Sequence, residues 1–316
     1  MLLPPSFHDV FGSEQTACRK TVIILPPMGV CAAAFIKAFY MPADPLLHVV
    51  LASYGNDFTT LDELAHGLWM ATTHASVILV GYSFGGFVAQ CMQAAQPRRV
   101  LGLVLISTLS SAELRKRHAA TSLKQLLRFQ NLQHLQDVLQ HPVAKITLTK
   151  DQRNVLANLV SSNLTWSEIQ AQLTSAIHFT KVRPLDGTPP ACPTLVIHGD
   201  GDGVISIDAA RKFSKGLPNS VLVVVHGAKH DIMVTHMDQV RVILCTWLHM
   251  LGCDNEIHTR CPILNATWES NGAAGSGASS PALVAVLSTL LGVSCILVIV
   301  FVVLYSVHAA RTKKGL

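Results

Sequence analysis

Ser76-Val-Ile-Leu-Val80 runs directly into Gly81-Tyr-Ser83-Phe-Gly85, and Gly86-Phe-Val-Ala-Gln-Cys-Met-Gln93 follows without a break. The first segment is a short, continuous apolar run of the kind a strand buried on both faces requires. The last is compatible with a helix. Between them lies a G-x-S-x-G pattern, in which small residues at both flanks let strand and helix approach closely. A bend that tight forces the central serine into a strained backbone conformation. It also lifts the Ser83 hydroxyl clear of the sheet and leaves the Phe84 N–H at the start of the helix.

Working outward, the same pattern recurs. Thr21-Val-Ile-Ile-Leu25, Leu46-Leu-His-Val-Val-Leu51 and Val100-Leu-Gly-Leu-Val-Leu-Ile106 are continuous rather than alternating apolar runs. Residues 59–72 and 85–95 read as the helices between them. Beyond a gap, Thr194-Leu-Val-Ile197 and Val221-Leu-Val-Val-Val225 resume the strands, with helices near 208–216 and 235–250. Strand and helix in alternation, joined by right-handed crossovers, predict a doubly wound, mostly parallel α/β sheet. The core is expected over residues 20–107 and 191–251, after an N-terminal segment at 1–19.

Residues 108–190 carry no strong strand signal but several amphipathic stretches, including Leu123–Phe129 and Leu132–Leu139. Thr165-Trp-Ser-Glu168 has the form of a capping box opening a helix. A helical insert between two strands of such a sheet is read as a lid. Residues 252–281, rich in Ser, Gly and Ala toward their end, read as a flexible linker. They lead into residues 282–307, which contain no charged side chain and are long enough to cross a bilayer with some tilt. A basic tail, 308–316, closes the chain.

That apolar block explains why 50% of the residues are hydrophobic and 14% charged. The net charge of +5 is scattered, with no basic stripe interleaved with aromatics, so nucleic acid is not an expected partner. The expected partners are a small ester or lipid and a membrane. The eight cysteines lie at irregular spacings without a C-x-x-C, which excludes a zinc framework, and no cofactor or metal is implied. Free thiols are the expectation, with Cys253 and Cys261 the one pair spaced for a disulfide in an oxidising compartment.

A serine hydroxyl is a weak nucleophile at neutral pH, so a base must take its proton and an acid must hold that base. Two loops at the ends of later strands supply candidates: His198-Gly-Asp200-Gly-Asp202-Gly-Val-Ile205 and His226-Gly-Ala-Lys-His230-Asp231. Asp200 and Asp202 are both eligible as the acid; His198, His226, His230 and His236 are all eligible as the base. Residues alone leave those choices open.

From Thr21 to Leu251 the chain resembles the α/β-hydrolase fold family of serine hydrolases. His198-Gly-x-x-Asp202 resembles the family's acid loop, and Gly227-Ala-Lys-His230 followed by His236-Met-Asp-Gln-Val240 resembles its histidine loop and final helix. The resemblance implies an esterase or lipase with Ser83 as nucleophile, Asp202 as acid and His230 as base, leaving His198, Asp200, His226 and His236 as structural residues. It also implies an oxyanion hole of two backbone N–H groups. Phe84 supplies one. The other belongs to the loop after the first parallel strand, where many relatives carry His-Gly and this chain carries Leu25-Pro-Pro-Met28-Gly29. Met28 is the implied donor there, with Gly29 as the fallback. The same departure, with Gly85-Gly-Phe-Val-Ala-Gln90, resembles maspardin-like proteins, which implies an alternative: a non-catalytic scaffold binding a protein partner.

Localisation is expected at an endomembrane through a C-terminal anchor. Met1–Val10 lacks the charged start and apolar core of a signal peptide, so the catalytic domain is expected on the cytosolic side. In the other direction, Arg311, Lys313 and Lys314 flank the span on its C-terminal side, where the positive-inside rule places them in the cytosol. Lys313-Lys-Gly-Leu316 also resembles a dilysine retrieval signal of the endoplasmic reticulum, which works only in the cytosol. Asn163-Leu-Thr and Asn265-Ala-Thr are glycosylation sequons.

Overall fold

In the computed structural model, the described residues are 3–11, 20–30, 47–116, 124, 127, 129–140, 164–181, 189–251 and 266–270. Six parallel strands form the middle of one eight-stranded sheet. They are β2 (Lys20–Leu25), β3 (Leu47–Ser53), β4 (Val77–Tyr82), β5 (Val100–Ile106), β6 (Thr194–Gly199) and β7 (Ser220–Val225). Antiparallel β1 (Ser6–Phe11) and β8 (Ala266–Ser270) close the two edges. The spatial order is β1-β3-β2-β4-β5-β6-β7-β8. Chain order reverses at β2, so helices cover both faces and the sheet is doubly wound, as expected.

The continuous apolar runs become strands buried on both faces, apart from the exposed Leu101 at the start of β5. Even and odd residues of β2, β4 and β5 belong to two separate cores: Ile23, Leu79 and Leu105 face one, Val22, Ile78 and Val104 the other. The first core is capped by α1 (Leu61–Ala71), α2 (Phe84–Ala95) and α6 (Ile207–Lys215), and the second by α8 (Met237–Met250). Burying each such aliphatic side chain contributes about 1.5–3 kcal/mol, which is why period-2 alternation is absent from these strands. Thr60 and Glu63 form a complete capping box at α1.

Between β5 and β6 the described elements are helical: α3 (Ser111–Lys116), α4 (Leu132–Gln140) and α5 (Trp166–Phe179). Thr165 and Glu168 make the expected capping box at α5. This helix is docked on the core. Phe179 stacks on Phe87 of α2 at 4.8 Å, and Ser167 Oγ accepts from Asn56 Nδ2 at 3.0 Å.

Two expectations change. Residues 1–19 contain a strand, β1, whose pairing with β3 supplies the partner for that edge. Residues 252–281, read as linker, contain β8, which pairs with β7 from Val225↔Ala266 to Val221↔Ser270. Its composition hid it, since an edge strand needs backbone pairing more than an apolar face. The final helix is α8, where it is expected; a short helix, α7 (Ile232–Thr235), precedes it and is separated from it at His236 (φ −131°, ψ 30°). No helix among the described residues is long and apolar enough to cross a membrane, and the stretch 282–307 lies outside them. Cys91, Cys192 and Cys245 are thiols engaged in no disulfide, while Cys253 and Cys261 also lie outside the described residues.

Candidate active site

Strand β4 ends at Tyr82 and α2 begins at Phe84, so Ser83 alone makes the bend. Its φ is positive, at 52°, with ψ −114°. A non-glycine residue in such a region costs about 1–3 kcal/mol and persists only where its surroundings over-determine it. Here they do: Ser83 N–H donates to Ile106 O at 2.8 Å, while Ser83 O accepts from Gly86 N–H and Thr108 Oγ1, each at 2.9 Å. Close approach also requires the flanking glycines. A Cβ on Gly81 would meet the Gly85 carbonyl, and one on Gly85 would meet the carbonyls of Leu25 and Pro26. The second contact sets the loop after β2 against the elbow.

Adjacent strands stand about 4.8 Å apart, so the ends of β4 and β7 are separated by about 14 Å. The loops after β6 and β7 lean inward across that distance. Ser83 Oγ stands 3.1 Å from His230 Nε2. On the other side of the ring, His230 Nδ1 stands 2.9 Å from Asp202 Oδ2. An ionised carboxylate only accepts, so Nδ1 carries the proton and the Nε2 lone pair faces the serine hydroxyl.

Asp202 is buried and its carboxylate is heavily engaged. Oδ1 accepts N–H bonds from Val204 and Ile205, each at 2.8 Å. Oδ2 lies 3.4 Å from Nε2 of the fully buried His198, which itself donates to Ile205 O at 2.9 Å. Burial pushes the carboxyl upward, but attraction and hydrogen bonding from His230, the nearby His198 and the Ile205 N–H outweigh it and hold Asp202 below its ordinary value of 3.8. His198 is therefore part of the acid's setting rather than a distant core residue.

The rival residues fall elsewhere. Asp200 Oδ2 pairs with His226 Nδ1 at 2.8 Å and its Oδ1 accepts from Gly227 N–H at 2.8 Å, with both side chains substantially exposed. Burial raises the Asp200 carboxyl, but the bonds and charge of His226 together with the Gly227 and Gly201 N–H groups outweigh it and hold the group below its ordinary value. His236 Nδ1 contacts Thr235 Oγ1 at 2.9 Å. Of the four histidines and two aspartates eligible from the sequence, geometry links His230 and Asp202 to Ser83 in one relay, with His198 set beside the Asp202 carboxylate.

Two backbone donors are expected at the oxyanion. Phe84 is the first residue of α2, where the helix leaves N–H groups without intrahelical acceptors. Met28 lies in the turn after β2, its side chain packed on the first core. The N–H of the fallback, Gly29, donates to Gln172 Oε1 at 2.8 Å.

Three further residues of the site escape a reading of the sequence. Tyr82 donates its hydroxyl to His230 O at 2.6 Å, fixing the histidine loop to the strand that carries Ser83. Burial, with the charges of Asp202 and Asp231, raises that hydroxyl far above its usual range, so it stays a donor. Tyr54 donates to Pro26 O at 2.7 Å. Gln172 is the third. Its only sequence signal is a polar side chain on the buried Ile169-Gln172-Leu173-Ala176 face of α5.

The profile of the alpha/beta hydrolase fold family matches residues 52–236 of this chain. The chain belongs to that family. Solved structures agree on the fold. A carboxylesterase of the thaumarchaeon Nitrososphaera gargenis superposes with a TM-score of 0.59 at 15% identity, over 78% of this chain and 94% of that one. An esterase of Exiguobacterium antarcticum gives 0.59 at 16% identity, over 78% and 95%. A provisional non-heme chloroperoxidase of Synechocystis sp. is 40% identical over 57 residues, 18% of this chain. The aligned stretch spans 21% of that relative's length.

Proposed function

We propose that the protein is a serine hydrolase that cleaves carboxylic esters, lipid esters among them, through an acyl-enzyme formed on Ser83. The observation that carries this reading is the unbroken relay from Ser83 Oγ to His230 Nε2 at 3.1 Å and from His230 Nδ1 to Asp202 Oδ2 at 2.9 Å.

In the first half-reaction His230 Nε2 takes the hydroxyl proton as Ser83 Oγ bonds to the ester carbonyl carbon. The carbonyl electron pair moves onto oxygen, and the N–H groups of Phe84 and Met28 hold that oxyanion. Collapse breaks the bond to the leaving alkoxide, which receives the proton from His230. In the second half-reaction water adds to the acyl carbon with His230 again as base, the carboxylic acid leaves, and Ser83 recovers its proton. Asp202 remains ionised throughout, holding the ring orientation and stabilising the imidazolium.

The uncharged stretch 282–307 is proposed to anchor this domain to an endomembrane, where lipid esters concentrate. The described helices between β5 and β6 are proposed to border the substrate path as a lid. A fluorophosphonate probe tests the enzymatic reading directly. Labelling of the wild type that vanishes in both Ser83→Ala and His230→Ala is the expected result, with esterase activity falling by at least ~10³-fold in each variant. A folded wild type that neither labels nor hydrolyses esters would instead behave as a binding scaffold, and the reading would be wrong.

A further inference from the structure

The loop after β2 has an unusual supply of donors. Pro26 and Pro27 have no N–H, so between residues 26 and 29 only Met28 and Gly29 can donate. Gly29 N–H is already committed to the buried side chain of Gln172, at 2.8 Å. On the other side of the proline pair, Pro26 O accepts the buried Tyr54 hydroxyl at 2.7 Å. The Tyr54 ring also packs edge-on against Phe84, the other oxyanion donor, at 5.5 Å. Met28 is thus bracketed by two fixed points, one on the segment after β3 and one on α5, and the Gly85 contact presses the same loop against the elbow. The two prolines restrict the backbone between those points still further.

We propose that Gln172, with Tyr54 opposite it, is a positioning residue that aims the Met28 N–H at the oxyanion formed on Ser83. Gln172 touches no reacting atom in this scheme; it acts through Gly29. Its orientation is dictated chemically, because an N–H donor facing it requires the amide oxygen and not the nitrogen. The helix that carries it therefore completes the catalytic machinery from the insert between β5 and β6. A proline-containing loop without the usual His-Gly is given rigidity from outside its own sequence. The inference rests on Ser83 acting as the nucleophile.

The test uses the full chain in detergent, with p-nitrophenyl butyrate as substrate. Gln172→Met keeps length and packing but removes the acceptor, and Tyr54→Phe removes the other fixed point. Each is expected to lower kcat by about 10–100-fold while KM stays within about threefold, since the loss falls on the transition state. Amide hydrogen exchange by mass spectrometry is expected to show faster exchange in the peptide covering residues 26–30 of Gln172→Met, with β4 and β6 unchanged. An active wild type and two variants of unaltered kcat would overturn the positioning role and leave the hydrolase reading intact. Falling kcat with faster exchange across the whole sheet would reduce Gln172 to a general structural residue, also overturning it. A wild type without turnover overturns the reading of Ser83 and this inference together.

Discussion

Replacing Asp202 by Asn tests the relay at the point where its electrostatics and its geometry meet. The substitution is isosteric, and the backbone around residue 202 decides which way the new amide points. Oδ1 accepts from both Val204 and Ile205 N–H. Turning the amide nitrogen toward them would leave both donors unsatisfied, and the buried Ile205 N–H alone would cost about 1–3 kcal/mol. The oxygen therefore stays there, and the NH2 takes the place of Oδ2 opposite His230 Nδ1 and near His198 Nε2. A donor in that position forces Nδ1 to accept, so the ring proton moves to Nε2, facing Ser83 Oγ. The base is then already protonated on the side where it must take a proton. In a serine protease of unrelated fold, the same wrong-tautomer substitution lowers kcat by about 10⁴-fold, corresponding to about 5.5 kcal/mol of transition-state stabilisation. The same order is expected here for p-nitrophenyl ester hydrolysis at neutral pH, with the fold retained in a thermal melt. Asp200→Asn, in the same loop but paired with His226, is the control and is expected to lower kcat by less than about threefold. Asp202→Asn within about tenfold of wild type, or Asp200→Asn as damaging as Asp202→Asn, would refute the assignment of the acid.

Tyr82→Phe removes the buried donor to His230 O and is expected to cost about 1–3 kcal/mol, lowering the melting temperature by several degrees and loosening the histidine loop; an unchanged melt and unchanged kcat would contradict the anchoring role. In acid, Asp200 and Asp202 hold their carboxyls below the ordinary 3.8, so the unfolded chain binds more protons than the native one. The stability they contribute is complete above roughly pH 5 and is lost as pH falls through their folded values. Urea midpoints between about pH 6 and pH 3 for wild type and Asp202→Asn should show the variant losing less over that interval. Deleting residues 282–316 is expected to move the protein from the carbonate-resistant membrane fraction to the supernatant. On the intact chain, an endoglycosidase mobility shift that disappears in Asn265→Gln would assign the domain to the luminal side.

Much of this protein is written plainly in its sequence. Runs such as Thr21–Leu25, buried on both faces, suit a covered parallel sheet, so they announce the class of fold. The elbow is equally legible, because glycine on either side of Ser83 is a local steric requirement that leaves a local mark. The edges are harder. β1 and β8 are held by backbone pairing to β3 and β7, and backbone hydrogen bonds make little demand on side-chain identity.

Tertiary structure decided what depends on direction. Asp200 and Asp202 share one loop, and His226 and His230 share another, so composition treats each pair almost alike. Only the path of the chain after β6 and β7 turns Asp202 and His230 inward and leaves Asp200 with His226 at the surface. The same holds for the donors opposite Ser83. From the sequence alone, two prolines withdraw their N–H groups and Met28 and Gly29 remain. That Gly29 is taken by Gln172, on a helix far along the chain, required the fold. Short-range sterics and burial write themselves into neighbouring residues. A contact across the chain constrains two distant side chains jointly, and neither one announces it alone.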